Sequence, residues 1–189
     1  LIDLKENPIK NITTNTIESD RVYDIDTLIL ATGFDAMTGA LTSIDISGRD
    51  GIKLKDQWKS GAKSYLGIGI ANFPNLFTVT GPGSPSVLSN MMPSIEQHVN
   101  WITDCIEWMI KNNKEVIESS KTAEDDWMVL VNEIADTTIF TDTKSWYNGS
   151  NIEEKAKAFL PFIGVPVYTE MLDEIVSEDY KGFIFDKAN

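Results

Sequence analysis

Apolar and polar positions fall into two regimes along the chain. Up to Thr80 the apolar residues come in short, nearly unbroken runs, whereas from Ser94 onward they recur every three or four positions. The first regime predicts strands. Residues 1–4 read as a short edge strand, Asn7-Pro8 as a turn, and the polar stretch to Arg21 as a connection. Residues 25–31 are almost continuously apolar, the pattern of a strand buried on both faces of a parallel sheet. Residues 39–61, interrupted by Gly48 and Gly51, predict a β excursion with arms at 44–46 and 52–54. Residues 65–70 alternate with glycines as another strand, and 75–80 (NLFTVT) form a second buried strand that stops at Gly81-Pro82-Gly83.

The second regime predicts three helices. Ser94-Ile95-Glu96-Gln97 is a capping box, and Ile95, Val99, Ile102, Ile106 and Met109 follow on one face until Asn112-Asn113. A second helix begins at Thr122. Its acids Glu124, Asp125 and Asp126 complement the helix dipole as a solvated first turn, and Trp127, Leu130, Val131 and Ile134 form its stripe. Residues 137–158 read as irregular. Tyr168, Met171, Leu172, Ile175 and Val176 mark the third helix, and residues 182–185 a closing strand. Strands of the kind buried on both faces of a parallel sheet, with helices to follow and no internal repeat, read as an α/β chain.

Composition narrows what such a chain can do. Its net charge of -13 argues against nucleic acid, because phosphate contacts need clustered Lys and Arg. Arginine occurs only at positions 21 and 49, too sparse for a self-sufficient site for a 2′-phosphate. The single cysteine, Cys105, excludes an internal disulfide and a cysteine-based zinc site and agrees with a reducing cytoplasm. The first ten residues are charged and contain Pro8, which is not a signal-peptide pattern, and no apolar run reaches membrane-spanning length. No metal cluster and no nucleophile triad is legible. His98, the only histidine, reads as structural, and Cys105 as a small buried hydrophobe beside the helix stripe.

Three segments carry candidate chemistry. Residues 81–93 run from a strand end through a Gly/Pro loop into a capped helix. Such crevices bind ligands in open α/β sheets, and a helix N-terminus offers free N–H groups to negative charge, although a plain connecting loop has the same look. In residues 31–35 (ATGFD), Gly33 marks where backbone approaches something closely or where a strand simply ends. In residues 145–155 (SWYNGSNIEEK), Trp146 lies in a polar loop, where it would serve as a ligand contact or a packing anchor.

Read together, YDIDTLILATGFDAMTGAL (23–41), FPNLFTVTGPGSP (73–85), GPGSPSVLSNM (81–91) and SIEQHVNWI (94–102) resemble the C-terminal part of Baeyer–Villiger monooxygenases of the cyclohexanone and phenylacetone type. The likeness covers nearly the whole chain, from Leu1 through Phe183, and is densest between Tyr23 and Trp108. It implies the C-terminal fragment of a flavoprotein with two dinucleotide-binding domains: a partial Rossmann-like sheet plus C-terminal helices. Residues 1–40 would end the NAD(P)-binding region and return to the FAD domain. Residues 41–112 would be the C-terminal part of the FAD domain, and 113–189 a helical region with a cofactor-covering loop.

The resemblance also implies site residues. Ala31, Thr32 and Gly33 would lie near the cofactor crevice, Asn90 and Met91 beside the flavin ring, and Trp146 and Lys155 by NADP. Ser86, Val87 and Leu88 would line the pocket for a ketone. Where the family carries Pro-Gly before that lysine, this chain has Glu153-Glu154, which removes a turn and adds negative charge. The cofactors implied are FAD and NADP, with O2 as co-substrate, and the activity is conversion of ketones to esters or lactones.

The chain opens on Leu1 and contains no G-x-G-x-x-G, so it reads as a piece of such an enzyme, inactive alone, whose partner is the upstream part. No residue of it is named catalytic. Two other readings stay open: a non-catalytic module that binds a ligand or partner, and a related flavoprotein N- or S-oxygenase.

Overall fold

A computed structural model describes residues 1–31, 33, 35, 36, 38–85, 90–143, 145, 148, 149 and 164–187. The chain divides into two units, Leu1–Gly33 and Phe34–Asn189. In the first, three short strands, β1 (Asn11–Ile12), β2 (Thr16–Glu18) and β3 (Val22–Asp24), form an antiparallel meander in the order β1-β2-β3. Ile17 faces Tyr23 and Ile12 faces Ile17. The Thr13 and Thr16 hydroxyls, 2.6 Å apart, tie the first hairpin. Ser19 is buried and donates to the Asn7 carbonyl at 2.6 Å.

Two expected strands differ here. Residues 1–4 enter a turn in which Asp3 accepts the Lys5 N–H. Residues 27–31 form no strand, and Leu28, Ile29 and Leu30 are 42%, 82% and 73% exposed. The physical reason is pairing. A central parallel strand needs hydrogen-bonding neighbours on both sides and cover on both faces, and the meander of this unit supplies neither to it.

In the second unit, α1 (Gly39–Thr42) and α2 (Leu54–Gln57) are single turns. They surround a small cluster of Leu54, Trp58, Ala62, Ile70 and Phe73. The expected excursion at 39–61 is reduced to one bridge, Ser47 to Lys53, and the expected strands at 65–70 and 75–80 to isolated bridges Tyr65–Gly69 and Gly69–Phe77. Non-glycine residues with positive φ explain why: Leu66 (63°), Asn72 (71°), Asn75 (58°) and Thr80 (50°) turn the chain where a strand would run straight.

Then come α3 (Met91–Lys111), β4 (Val116–Ser119), α4 (Lys121–Asp136), α5 (Val165–Ser177) and β5 (Phe183–Asp186). β4 pairs antiparallel with β5, Ser119 opposite Phe183, so both sheets among the described residues are antiparallel. The main core joins Leu66, Ile68, Trp101, Cys105, Ile117, Trp127, Val131, Tyr168, Leu172 and Tyr180. Aromatic rings interlock it: Trp101 meets Tyr180 edge-on at 5.2 Å between centroids, and Trp108 lies 4.8 Å from Phe185.

The expected helices form, with two corrections. α3 starts at Met91 and is capped by Asn90, whose Oδ1 accepts the Met92 N–H at 3.1 Å, so Ser94 is inside the helix and not its cap. Pro93 is tolerated because first-turn N–H groups have no intrahelical partner. The buried face of α3 is Ser94, His98, Trp101, Cys105 and Met109, one position round from the expected stripe. Val99 and Ile106 are exposed instead.

Candidate functional site

The buried turn system before α3 is the most highly built part of the described chain. Gly81, Pro82, Gly83, Ser84 and Pro85 are all buried, which is unusual for a connecting loop, because buried backbone polar groups must find partners. Here they do. The Ser64 hydroxyl donates to the Pro82 carbonyl at 2.5 Å and accepts the Gly67 N–H at 3.0 Å. The Gly81 N–H and the Thr78 hydroxyl both donate to the Gly67 carbonyl, at 3.1 and 2.8 Å. The Ser84 hydroxyl donates to the Gly81 carbonyl, and the Trp127 indole N–H, from α4, donates to the Gly83 carbonyl at 2.9 Å. Gly67 has φ +75°, and a Cβ there would run into Ser84, so the two turns touch backbone to backbone.

His98 locks this system from α3. The Thr80 N–H donates to its Nδ1 at 3.0 Å, so the ring proton sits on Nε2, which lies 2.8 Å from the Tyr168 hydroxyl of α5. That hydroxyl in turn donates to the Leu66 carbonyl at 2.6 Å. His98 is 1% exposed, and burial lowers its pKa to about 4, opposed by a backbone contact at Thr78. Burial also raises the Tyr168 hydroxyl well above its ordinary value. The His98–Tyr168 pair is therefore neutral, with each proton assigned a direction. His98 thus has the structural place that its sequence setting suggests.

Two acids pin the neighbouring turn. Glu124 Oε1 accepts the Ala71 N–H at 3.0 Å, and Glu118 Oε1 accepts the Asn72 N–H at 2.7 Å while its other oxygen meets Arg49. Glu124 is 1% exposed, and burial raises its pKa. The expected solvated trio thus separates. Asp126 is exposed and Asp125 pairs with Lys63 and Lys121 at the surface, but Glu124 faces inward. The signal was its spacing, since it shares a helical face with Trp127, Val131 and Ala135.

The start of α3 suits a negatively charged group. No acid lies in its first turn, Asn90 satisfies one free N–H, and the buried Ser94 hydroxyl has no hydrogen-bond partner among the described residues. Asn90 is exposed and Met91 half-buried. Of the residues singled out from sequence, these two stand together at the helix start. Ala31 and Gly33 lie in the first unit, both exposed. Gly33 has φ +78° with open space where a Cβ would be, so its glycine answers to backbone conformation. Thr32, Ser86, Val87, Leu88, Trp146 and Lys155 lie outside the described residues. Cys105 is wholly buried, and its thiol is pushed up to about 12. Among the described residues no group of three His, Cys, Asp or Glu could hold a metal ion, and no helix is long and apolar enough to cross a membrane.

Comparison with known proteins gives this arrangement a context. No protein-family model matches the chain. It is 40% identical over 186 residues to a cyclohexanone 1,2-monooxygenase of Acinetobacter sp, covering 97% of this chain and 34% of that protein. It is 40% identical over 187 residues to a phenazine N-monooxygenase of Lysobacter antibioticus, again covering 97% and 34%. Its fold superposes on NADP+-bound cyclohexanone monooxygenase from Rhodococcus sp. Phi1 with a TM-score of 0.92 and 36% identity, covering 99% of this chain and 35% of that one. The chain spans about a third of the length of the curated relatives it matches, and it matches the C-terminal part of Baeyer–Villiger monooxygenases.

Proposed function

We propose that these residues form the C-terminal wall of a flavin-dependent monooxygenase that uses NADPH and O2 to convert ketones to esters or lactones. The observation that carries the reading is the 40% identity sustained over 186 residues with a cyclohexanone 1,2-monooxygenase. FAD and NADP would come to a site completed by the upstream part of the same enzyme, in the cytoplasm. When bound, the nicotinamide supplies a hydride and the flavin the means of activating O2.

The chain's own residues bind, orient and exclude water. Asn90 and Met91 present the acid-free start of α3 to the flavin, where free N–H groups favour the negative charge of a reduced ring. The orphan Ser94 hydroxyl beside them supports that fit. Ser86, Val87 and Leu88, which follow the buried turn 81–85 in sequence, line the ketone pocket. Ala31, Thr32 and Gly33 line the cofactor crevice, and Trp146 and Lys155 cover NADP. In domain terms, 1–40 closes the NAD(P) region, 41–112 completes the FAD domain and 113–189 forms the helical cover. The exposed Leu28–Ile29–Leu30 run and the exposed Val99 and Ile106 of α3 are surfaces for the upstream part.

The test is to purify the intact gene product and record its mass, its visible spectrum and its NADPH consumption with and without cyclic ketones. A flavin band with ketone-dependent oxidation and a lactone product is the expected result. A flavin-free protein of the full mass would sink the reading. A second reading, N-oxygenation, draws on the equal identity to the phenazine N-monooxygenase. An aromatic N-heterocycle consumed in place of ketones would establish it.

A further inference from the structure

Three elements distant in sequence meet at one buried histidine. Thr80 opens the turn that leads to the proposed substrate segment, His98 sits two turns into α3, and Tyr168 sits in the first turn of α5. Their bonds form one directed chain. The Thr80 N–H donates to His98 Nδ1 at 3.0 Å, Nε2–H to the Tyr168 hydroxyl at 2.8 Å, and that hydroxyl to the Leu66 carbonyl at 2.6 Å. Thr80 holds a positive φ of 50° and Leu66 one of 63°, conformations that cost a non-glycine residue energy and persist only where the surroundings enforce them. The chain of bonds ends on both. A second bond, Gln97 Nε2 to Thr169 Oγ1 at 2.6 Å, fastens the same two helices one residue along.

Core packing alone would not need this. A leucine at position 98 and a phenylalanine at 168 would fill the same space, and a buried polar pair stabilises only if fully satisfied. The arrangement is directional, and it acts on the backbone at Thr80 and Leu66.

We infer that His98 and Tyr168 are positioning residues: they set the backbone of the 80–85 turn, and through that turn the affinity for the ketone and the coupling of its oxidation, so that α5 bears on the reaction without supplying a group to the chemistry. The inference rests on the function proposed above. Neither residue is assigned to the chemistry. The reach is plausible in scale, because misplacement of a substrate by about 1 Å costs up to about a hundredfold in rate.

The experiment uses the intact gene product and three variants: Tyr168→Phe, which keeps the ring, His98→Leu, which removes both bonds, and His98→Asn, whose Oδ1 stands where Nδ1 accepts from Thr80. Amide exchange across residues 78–85 reads the turn itself. Exchange about tenfold faster is expected in Tyr168→Phe, which loses the bonds to His98 and Leu66, and in His98→Leu, which loses those to Thr80 and Tyr168, with protection largely restored in His98→Asn through the regained acceptor for Thr80. In the active enzyme the ketone KM should rise about tenfold in the first two variants, with more NADPH consumed per ester formed and the NADPH KM unchanged. Lowered stability with ketone KM and coupling unchanged would overturn the inference, because that is a structural role only. Unchanged exchange in Tyr168→Phe would overturn it as well. If the wild-type protein oxidises no ketone, the proposed function fails instead, and the exchange measurement still decides whether the pair holds the turn.

Discussion

Residues 1–33 and the unit that follows use similar amino acids to opposite ends. Both carry Leu and Ile in quantity. Every buried hydrophobic residue among the described ones lies at Leu54 or beyond, whereas in the first unit Ile2, Leu4, Ile9, Ile12, Val22, Leu28, Ile29 and Leu30 are exposed. The difference teaches that an apolar run is an instruction for burial that needs a second surface to execute it. The later unit contains its own second surface, since α3, α4, α5 and the β4–β5 pair bury one another. The 25–31 run does not, and an apolar segment without cover is prone to association.

Substitutions should expose that contrast most strongly in the main core. Leu172→Ala is expected to lower unfolding free energy by about 2–5 kcal/mol in urea titrations, because a closed core cannot collapse into the space. A loss below about 1 kcal/mol there would break the comparison, for the second unit would then be as loosely packed as the first.

Acid should act next, through His98. Its pKa is held at about 4, below the ordinary 6.5, so the folded state resists a proton that the unfolded state accepts. The stability this provides is complete above pH 6.5 and is lost as pH falls toward 4, a change of about 3 kcal/mol. Urea midpoints across that range should fall less steeply in His98→Asn, and equal slopes would refute the assignment.

Glu124 has the reverse sign. Burial raises its pKa, so its contribution is fullest in acid and declines as pH rises through the raised value. Glu124→Ala should cost about 1–3 kcal/mol by stranding the Ala71 N–H. Glu124→Gln keeps an acceptor and should gain on the wild type as pH rises, so a constant gap would argue that the carboxylate is not desolvated.

The smallest change in stability is expected at Ile29→Lys, within about 0.5 kcal/mol, since that side chain is already 82% exposed. The same substitution should reduce binding of a hydrophobic dye to the 189-residue chain and its self-association. A large loss of stability would show that the first unit has a core of its own.

The sequence made helices legible and strands much less so, for a physical reason. A helix satisfies its backbone internally, so the three-to-four spacing from Ile95, Trp127 and Tyr168 onward was enough to locate α3, α4 and α5. The choice of face was harder. On α3 the isoleucines suggested one stripe, but the buried one carries His98, Trp101 and Cys105, whose mixed polarity hides their burial from a hydrophobicity pattern. β4, only four residues long, lies between two expected helices where no element was assigned, because its partner lies far downstream at β5. Residues 65–70 and 75–80 looked like strands because nothing in Leu66 or Thr80 announces a positive φ. At the site, the resemblance singled out Asn90 and Met91 while the helix start itself was read four residues late, at Ser94, and the His98–Tyr168 link required two helices to be brought together.

The pairing of β4 with β5 has a consequence for synthesis. β4 leaves the ribosome with no strand to join, and all of α4 and α5 must be made before Phe183–Asp186 arrive to close the ladder. At ordinary translation speeds that interval lasts some seconds. For that time Ile117, destined for the core, has its bonds to Asn75 and its helical neighbours but no strand partner, and a nascent chain stalled before Phe183 would present an open strand edge to chaperones or to other nascent chains.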